Sequence, residues 1–290
     1  MEKKKYLVPL DGSELAEHAI PWAELLASRH ETQVELLRCY EPLASVYMLP
    51  EFAAPAPVYY DQSAFHKQID EYLNKIVKKM PVGLAVKKRA EGDPGMTILD
   101  RAESGDIEAI IMASHGRGGL GRWLLGSVAT KVVRGARIPV LIVNATTEVP
   151  QHPEVQRILV PLDGSDVSEA ALPQAVKLAQ AFNAEILLYQ GVPHTPIGHP
   201  QLDAAVALEV ENAREYLEKI KGRYPDQRMS IDVKIAGPTL GIVEEAEKCD
   251  LIVMSSHGRS GVKRWLLGSI AESVLQAAHK PLMIIYQREE

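Results

Sequence analysis

Cysteine is almost absent from this chain. Its 290 residues hold two, Cys39 and Cys249, which excludes a disulfide framework. Two thiols without a secretory leader point to a reducing, cytoplasmic setting. The N-terminal apolar run stops at Asp11, too short for the core of a leader. No stretch approaches the roughly 18–20 apolar residues that cross a bilayer, so no membrane role is expected. Excess basic charge is also missing. The net charge is −6, which argues against a dedicated nucleic-acid binder. Neither half contains G-x-x-x-x-G-K-[ST], so a Walker-type phosphate loop is excluded. A hydrophobic content of 46% with 24% charged residues is that of an ordinary globular protein, and the length suits two domains of roughly 145 residues.

What is present is written twice. Leu7-Val8-Pro9-Leu10-Asp11-Gly12-Ser13 returns unchanged as Leu159 to Ser165, and HGRGGLGRWLLGSVA (115–129) returns as HGRSGVKRWLLGSIA (257–271) with four of fifteen positions different. The order of landmarks is kept, as expected of a tandem duplication. The two domains are expected at 1–147 and 155–290, joined by the proline-containing stretch 144–156.

Each half alternates strands and helices. Strands are expected at 6–10, 34–39, 85–89, 109–113 and 140–143, and again at 157–162, 185–189, 231–235, 251–254 and 282–286. Runs such as Ile110-Ile111-Met112-Ala113 and Leu251-Ile252-Val253-Met254 fit strands buried on both faces of a parallel sheet. Between them, 63–80 carries an apolar stripe of helical period. The fold class is therefore α/β with parallel sheets. Pro21 and Pro173 fall inside the first helix of each half, where a kink is expected.

Ligands of open parallel sheets bind beyond the carboxyl ends of the strands. Two turns occupy that place in each half: Asp11-Gly12-Ser13 or Asp163-Gly164-Ser165 after strand 1, and the loop 114–125 or 256–267 after strand 4. The loop leads into Gly126-Ser127 or Gly268-Ser269, the start of a helix whose first N–H groups have no internal partner and form an anion site. Charge agrees: residues 109–147 contain no acid but include Arg117, Arg122, Lys131, Arg134 and Arg137. The competing reading makes Ser127 and Ser269 ordinary N-caps, the glycines a tight connection and the arginines a solvated face. Gly116 to Gly121 matches G-x-G-x-x-G, but it follows the fourth strand and the second copy has lost it, so it is not read as a dinucleotide fingerprint.

The pairing of VPLDGS with SHGRxG and LLGS resembles the universal stress protein family over nearly all of both halves. The resemblance implies two Rossmann-like five-stranded domains of order 3-2-1-4-5. It also implies, for one branch of the family, ATP binding through G-x-x-G, nine residues and G-[ST]. Here that register begins at Ala113 and Ser255, so both copies depart from the first glycine. By resemblance, Asp11 and Asp163 accept hydrogen bonds from ribose. Gly116, Gly126, Ser127 and Val128 offer N–H groups to phosphates, as do Gly258, Gly268, Ser269 and Ile270. Pro9, Met112, Ala113 and His115 line the first site, and Pro161, Met254, Ser255 and His257 the second. The end of strand 2, read as Cys39 in one half and Gln190 in the other, lies near adenine. The ligand implied is ATP, ADP or AMP, alone or with Mg²⁺.

His115 and His257 are read as holding their turns rather than as catalytic groups. His194 and His199 lack metal-ligand spacing, and no metal site is expected. The stretch 41–61, rich in tyrosine and proline, reads as a variable surface loop. The last strand of each half is apolar and falls at a sheet edge, which invites pairing, either between the halves or between two chains. A homodimer is the favoured expectation. The function expected is that of a stress-response or regulatory protein that binds an adenine nucleotide. The alternatives are a protein-interaction module without nucleotide and a slow ATPase, with a protein partner unspecified.

Overall fold

The computed structural model describes residues 3–41, 62–114, 125–144, 153–193, 200–257 and 267–286. The stretch 42–61, the loop centres at 115–124 and 258–266, the linker at 145–152, and His194 and His199 lie outside the described residues. In the first half the elements are β1 (Lys5–Pro9), α1 (Glu14–Glu17), α2 (Ile20–His30), β2 (Gln33–Tyr40), α3 (Gln62–Val77), β3 (Ala85–Glu91), α4 (Pro94–Ala102), β4 (Ile107–Ala113), α5 (Ser127–Gly135) and β5 (Val140–Val143). The second half repeats them as β6 (Arg157–Pro161), α6 (Asp166–Glu169), α7 (Leu172–Phe182), β7 (Glu185–Val192), α8 (Pro200–Gly222), β8 (Met229–Ile235), α9 (Pro238–Ala246), β9 (Leu251–Ser255), α10 (Ser269–Ala277) and β10 (Leu282–Ile285).

Strand order is β3-β2-β1-β4-β5-β10-β9-β6-β7-β8. Each half alone follows 3-2-1-4-5 with parallel neighbours. The halves do not form two separate sheets. They fuse into one ten-stranded sheet through an antiparallel ladder, Leu282 opposite Ile142, Met283 opposite Leu141 and Ile284 opposite Val140. All eight residues of β5 and β10 are buried. The edges expected to join two chains are thus consumed within one, which corrects the homodimer expected through them. The short linker keeps the second edge at high effective concentration beside the first. Because the join is antiparallel, the carboxyl ends of β1 and β4 and those of β6 and β9 lie on opposite edges of the sheet. The seam is also held off the ladder. The Tyr286 hydroxyl donates to the Val133 carbonyl at 2.5 Å, Asn144 Nδ2 donates to the Ala278 carbonyl at 3.4 Å, and Arg134 pairs with Glu272 at 3.3 Å.

Alternation along the strands feeds two apolar layers. Val8, Leu36, Ile111 and Val160 pack with Trp22, Leu26, Leu73, Leu178 and Leu217 of α2, α3, α7 and α8. Leu7, Leu37, Ile110 and Leu159 pack on the other face with Ile98, Val132, Ile242 and Val274 of α4, α5, α9 and α10. The prolines do not kink a continuous helix, contrary to expectation. The chain breaks after Glu17 and Glu169, and Pro21 and Pro173 stand in the first turns of α2 and α7, where a missing N–H costs no internal bond.

Opposite the carboxyl edge of the first half lies a buried ion network. Arg101, the eighth residue of α4, holds both Glu35 carboxylate oxygens at 2.6 Å and both Asp106 oxygens at 2.5 and 2.8 Å, while Lys5 adds a 2.8 Å contact to Asp106. The Arg101 guanidinium holds the Asp106 carboxyl far below the usual carboxylate range. The second half inverts this scheme. Glu245, the eighth residue of α9, is the buried acid, held by Lys234 and by Lys248 at 2.8 Å.

Arg101→Met is expected to lower stability by about 3–5 kcal/mol at pH 7, because Glu35 stays buried with its principal partner removed. A depressed carboxyl contributes stability above its unfolded pKa and loses it as pH falls. The gap between parent and variant should therefore narrow below about pH 4. Urea unfolding across pH measures this, and a gap that is small at pH 7 or widens in acid contradicts it.

Candidate functional site

At the end of β1 the chain turns through Gly12, whose φ of 83° is left-handed, and β6 turns through Gly164 at the same angle. Glycine takes that conformation without the penalty a Cβ brings. Asp11 locks the turn: its Oδ1 accepts from the Ser13 N–H at 2.9 Å and from the Ser13 hydroxyl at 2.6 Å. Asp163 does the same for Ser165 at 3.0 and 2.5 Å. Ser13 and Ser165 in turn cap α1 and α6. Each aspartate is half-buried and is oriented by its own turn.

The second wall is the start of α5 and α10. Gly126 and Gly268, not the serines, are the N-caps, and neither helix has a side-chain cap. Ser127 and Ser269 are the first helical residues and are exposed, so the reading of them as N-caps is replaced. The Gly126 and Gly268 N–H groups are themselves committed, donating to the Ser114 and Ser256 carbonyls at 2.8 Å. That removes both glycines from the expected phosphate donors. The N–H groups of Ser127, Val128 and Ala129, and of Ser269, Ile270 and Ala271, precede the first helical hydrogen bonds, which are donated by Thr130 and Glu272. A Cβ on Gly268 would stand 3.0 Å from the Ser256 carbonyl oxygen and 3.4 Å from the His257 Cα. Glycine here is a packing requirement of the corner.

Ala113 and Ser255 occupy matching ends of β4 and β9, with Met112 and Met254 buried beside them. The Ser255 hydroxyl donates to the His257 carbonyl at 2.5 Å, so its oxygen is drawn into the loop. His257 Nδ1 lies 3.1 Å from the Ser256 hydroxyl. His115, Gly116 and Gly258 lie outside the described residues. Pro9 and Pro161 close β1 and β6 beside the aspartate turns.

Cys39 and Gln190, expected at matching ends of strand 2, do not match. Pro9 pairs with Leu37 and Pro161 with Tyr189, so Arg38 matches Gln190 and Cys39 matches Gly191. Cys39 packs on the face of α4 and α5, its Sγ 4.0 Å from the Pro94 carbonyl. Gln190 follows Leu188 and precedes Val192 on the opposite parity from Tyr189, toward α7 and α8. It therefore faces away from α10. Gly191, beside Ala236 and Pro238, holds the position that the sequence reading gave to Gln190. Equal spacing after Pro9 and Pro161 was the signal available in the sequence. Burial pushes the Cys39 thiol up to about 11, which leaves it a packing group at neutral pH.

The first-turn N–H groups and the oriented carboxylate together suit a ligand with hydroxyl donors at one end and an anion at the other. Among the described residues no group of three or more His, Cys, Asp or Glu could hold a metal, and no helix is long and apolar enough to cross a membrane.

The model of the universal stress protein family matches residues 3–144 and 154–285. A universal stress protein of Mycolicibacterium smegmatis is 28% identical over 293 residues, covering 97% of both chains. One from Mycobacterium tuberculosis is 35% identical over 187 residues, 63% of each. The crystal structure of a universal stress protein from Archaeoglobus fulgidus superposes with a TM-score of 0.68 at 19% identity, covering 99% of this chain and 100% of that one.

Gly268→Ala should cost about 1–3 kcal/mol by overpacking against backbone that cannot rotate away. Ser269→Ala, one residue on and exposed, should stay within about 0.5 kcal/mol of the parent. Equal effects of the two in urea unfolding would refute the close approach at Gly268.

Proposed function

The chain belongs to the universal stress protein family, and on that premise we propose that each half binds an adenine nucleotide, ATP or its ADP and AMP relatives, in a stress-response or regulatory role. The observation that carries this reading is duplicated: an aspartate fixed by its own turn follows one strand, and a helix without a side-chain N-cap follows the loop after the neighbouring parallel strand. Asp11 and Asp163 accept ribose hydroxyls. The N–H groups of Ser127 and Val128, and of Ser269 and Ile270, receive phosphate, favoured by the positive end of the helix dipole. The base lies toward Cys39 in one half and Gly191 in the other, beside the turns that open α4 and α9. Mg²⁺, where it takes part, enters with the phosphates. The chain's own residues position and neutralise a phosphate chain, which is binding chemistry more than turnover. The domain limits 1–147 and 155–290 and a cytoplasmic location belong to the same reading.

Ser127→Asp and Ser269→Asp place a carboxylate at the phosphate position on exposed first-turn sites, where an acid favours the helix. Together they should leave thermal stability unchanged or slightly raised and weaken ATP binding by at least about tenfold, read by titration calorimetry. Mass spectrometry of the denatured parent should show co-purified adenine nucleotide. A double variant that binds ATP as the parent does overturns the phosphate assignment. A parent that binds none leaves a protein-interaction module in its place.

A further inference from the structure

The two corners share a backbone but differ in the charges on their rims. In the first half, Lys131 is the fifth residue of α5, and its stem lies across Gly95 of α4. Its ammonium reaches Asp93, the N-cap of α4, at 2.8 Å. Asp93 and Pro94 adjoin Cys39 at the end of β2, so this ion pair joins the N-cap of α4, next to Cys39, to the first half of α5. Both partners are about half exposed. No acid stands in the first turn of α5.

None of this recurs in the second half. Ser273 stands fifth in α10 where Lys131 stands in α5, and Gly237 caps α9 where Asp93 caps α4. The fourth residue of α10 is Glu272, an acid in the first turn, where α5 has Thr130. Glu272 is drawn to Arg134 of the other half at 3.3 Å, yet its charge sits within a turn of the first N–H groups of α10, where an anion on the ligand meets repulsion.

We propose that the two corners have different ligand-charge preferences: the first half selects the nucleotide with the longer phosphate chain, and the second half discriminates little between ATP and AMP. Lys131 is the residue that sets the first preference, exchanging Asp93 for the terminal phosphates, and Glu272 sets the second. This inference rests on the nucleotide reading above and deepens it.

The test uses the full chain with one corner closed at a time. Ser269→Asp leaves the first corner and Ser127→Asp leaves the second, and each is titrated with ATP and with AMP. The ATP-to-AMP affinity ratio should be larger in the first corner by a few-fold to about tenfold, and the difference should shrink as salt is raised. Lys131→Ser should lower the ratio of the first corner, and Glu272→Thr should raise that of the second. All four positions are at least partly exposed, and unchanged thermal unfolding shows that each variant folds. Equal ratios in the two corners, unmoved by either substitution, overturn the inference and leave nucleotide binding standing. Absence of binding in the parent overturns the nucleotide reading itself.

Discussion

The antiparallel ladder between β5 and β10 is the constraint on which the rest of this molecule depends. Among the described residues every other strand contact is parallel, and parallel strands carry their crossover helices with them. Five strands wound in the 3-2-1-4-5 order leave β5 apolar and unpaired on one side. A second copy of the same unit supplies the matching edge, and the linker supplies it in the same chain. The result buries β5 and β10 at the centre of a ten-stranded sheet and leaves the outer edges to β3 and β8. On β3 the exposed Lys87, Lys88 and Arg89 discourage further pairing. The same ladder sends the two carboxyl-end corners to opposite edges, so each can take a ligand without crowding the other.

Duplication also freed the halves to diverge. The backbone features that build a corner are kept in both: the left-handed glycine, the aspartate that locks it, the glycine N-cap and its hydrogen bond to the strand-4 loop. Charge is where they part. A buried acid on a strand answered by an arginine on α4 becomes a buried acid on α9 answered by lysines. The rim of the first corner carries a lysine and that of the second a glutamate. Backbone geometry tolerates little change because close approach and φ dictate it. Side-chain charge at a rim is screened and exposed, so it changes at low cost.

Much of this was legible before any coordinates. Repeated LVPLDGS and LLGS segments located both corners, and continuous apolar runs such as Ile110 to Ala113 located the buried parallel strands. Three of the readings that failed did so for reasons of local geometry. Pro21 and Pro173 looked internal because a four-residue helix and its successor cannot be told from one longer helix by apolar period. Gln190 was set beside Cys39 because a one-residue slip in a strand leaves composition unchanged while it reverses every side chain. Gly126 and Gly268 looked like phosphate donors because a sequence does not show where an N–H is already spent. Lys131 with Asp93, and Arg134 with Glu272, are separated by 38 and 138 residues, and no local pattern announces such pairs.

Hydrogen exchange of the full chain, followed by mass spectrometry at protein concentrations from nanomolar to micromolar, tests the seam most directly. Pairing within one chain predicts that the amides of residues 140–143 and 282–285 exchange as slowly as those of β1 and β6, at a rate independent of concentration. Exchange in these two segments that quickens on dilution, or that runs at the pace of the outer strand β3, would place the ladder between chains or remove it.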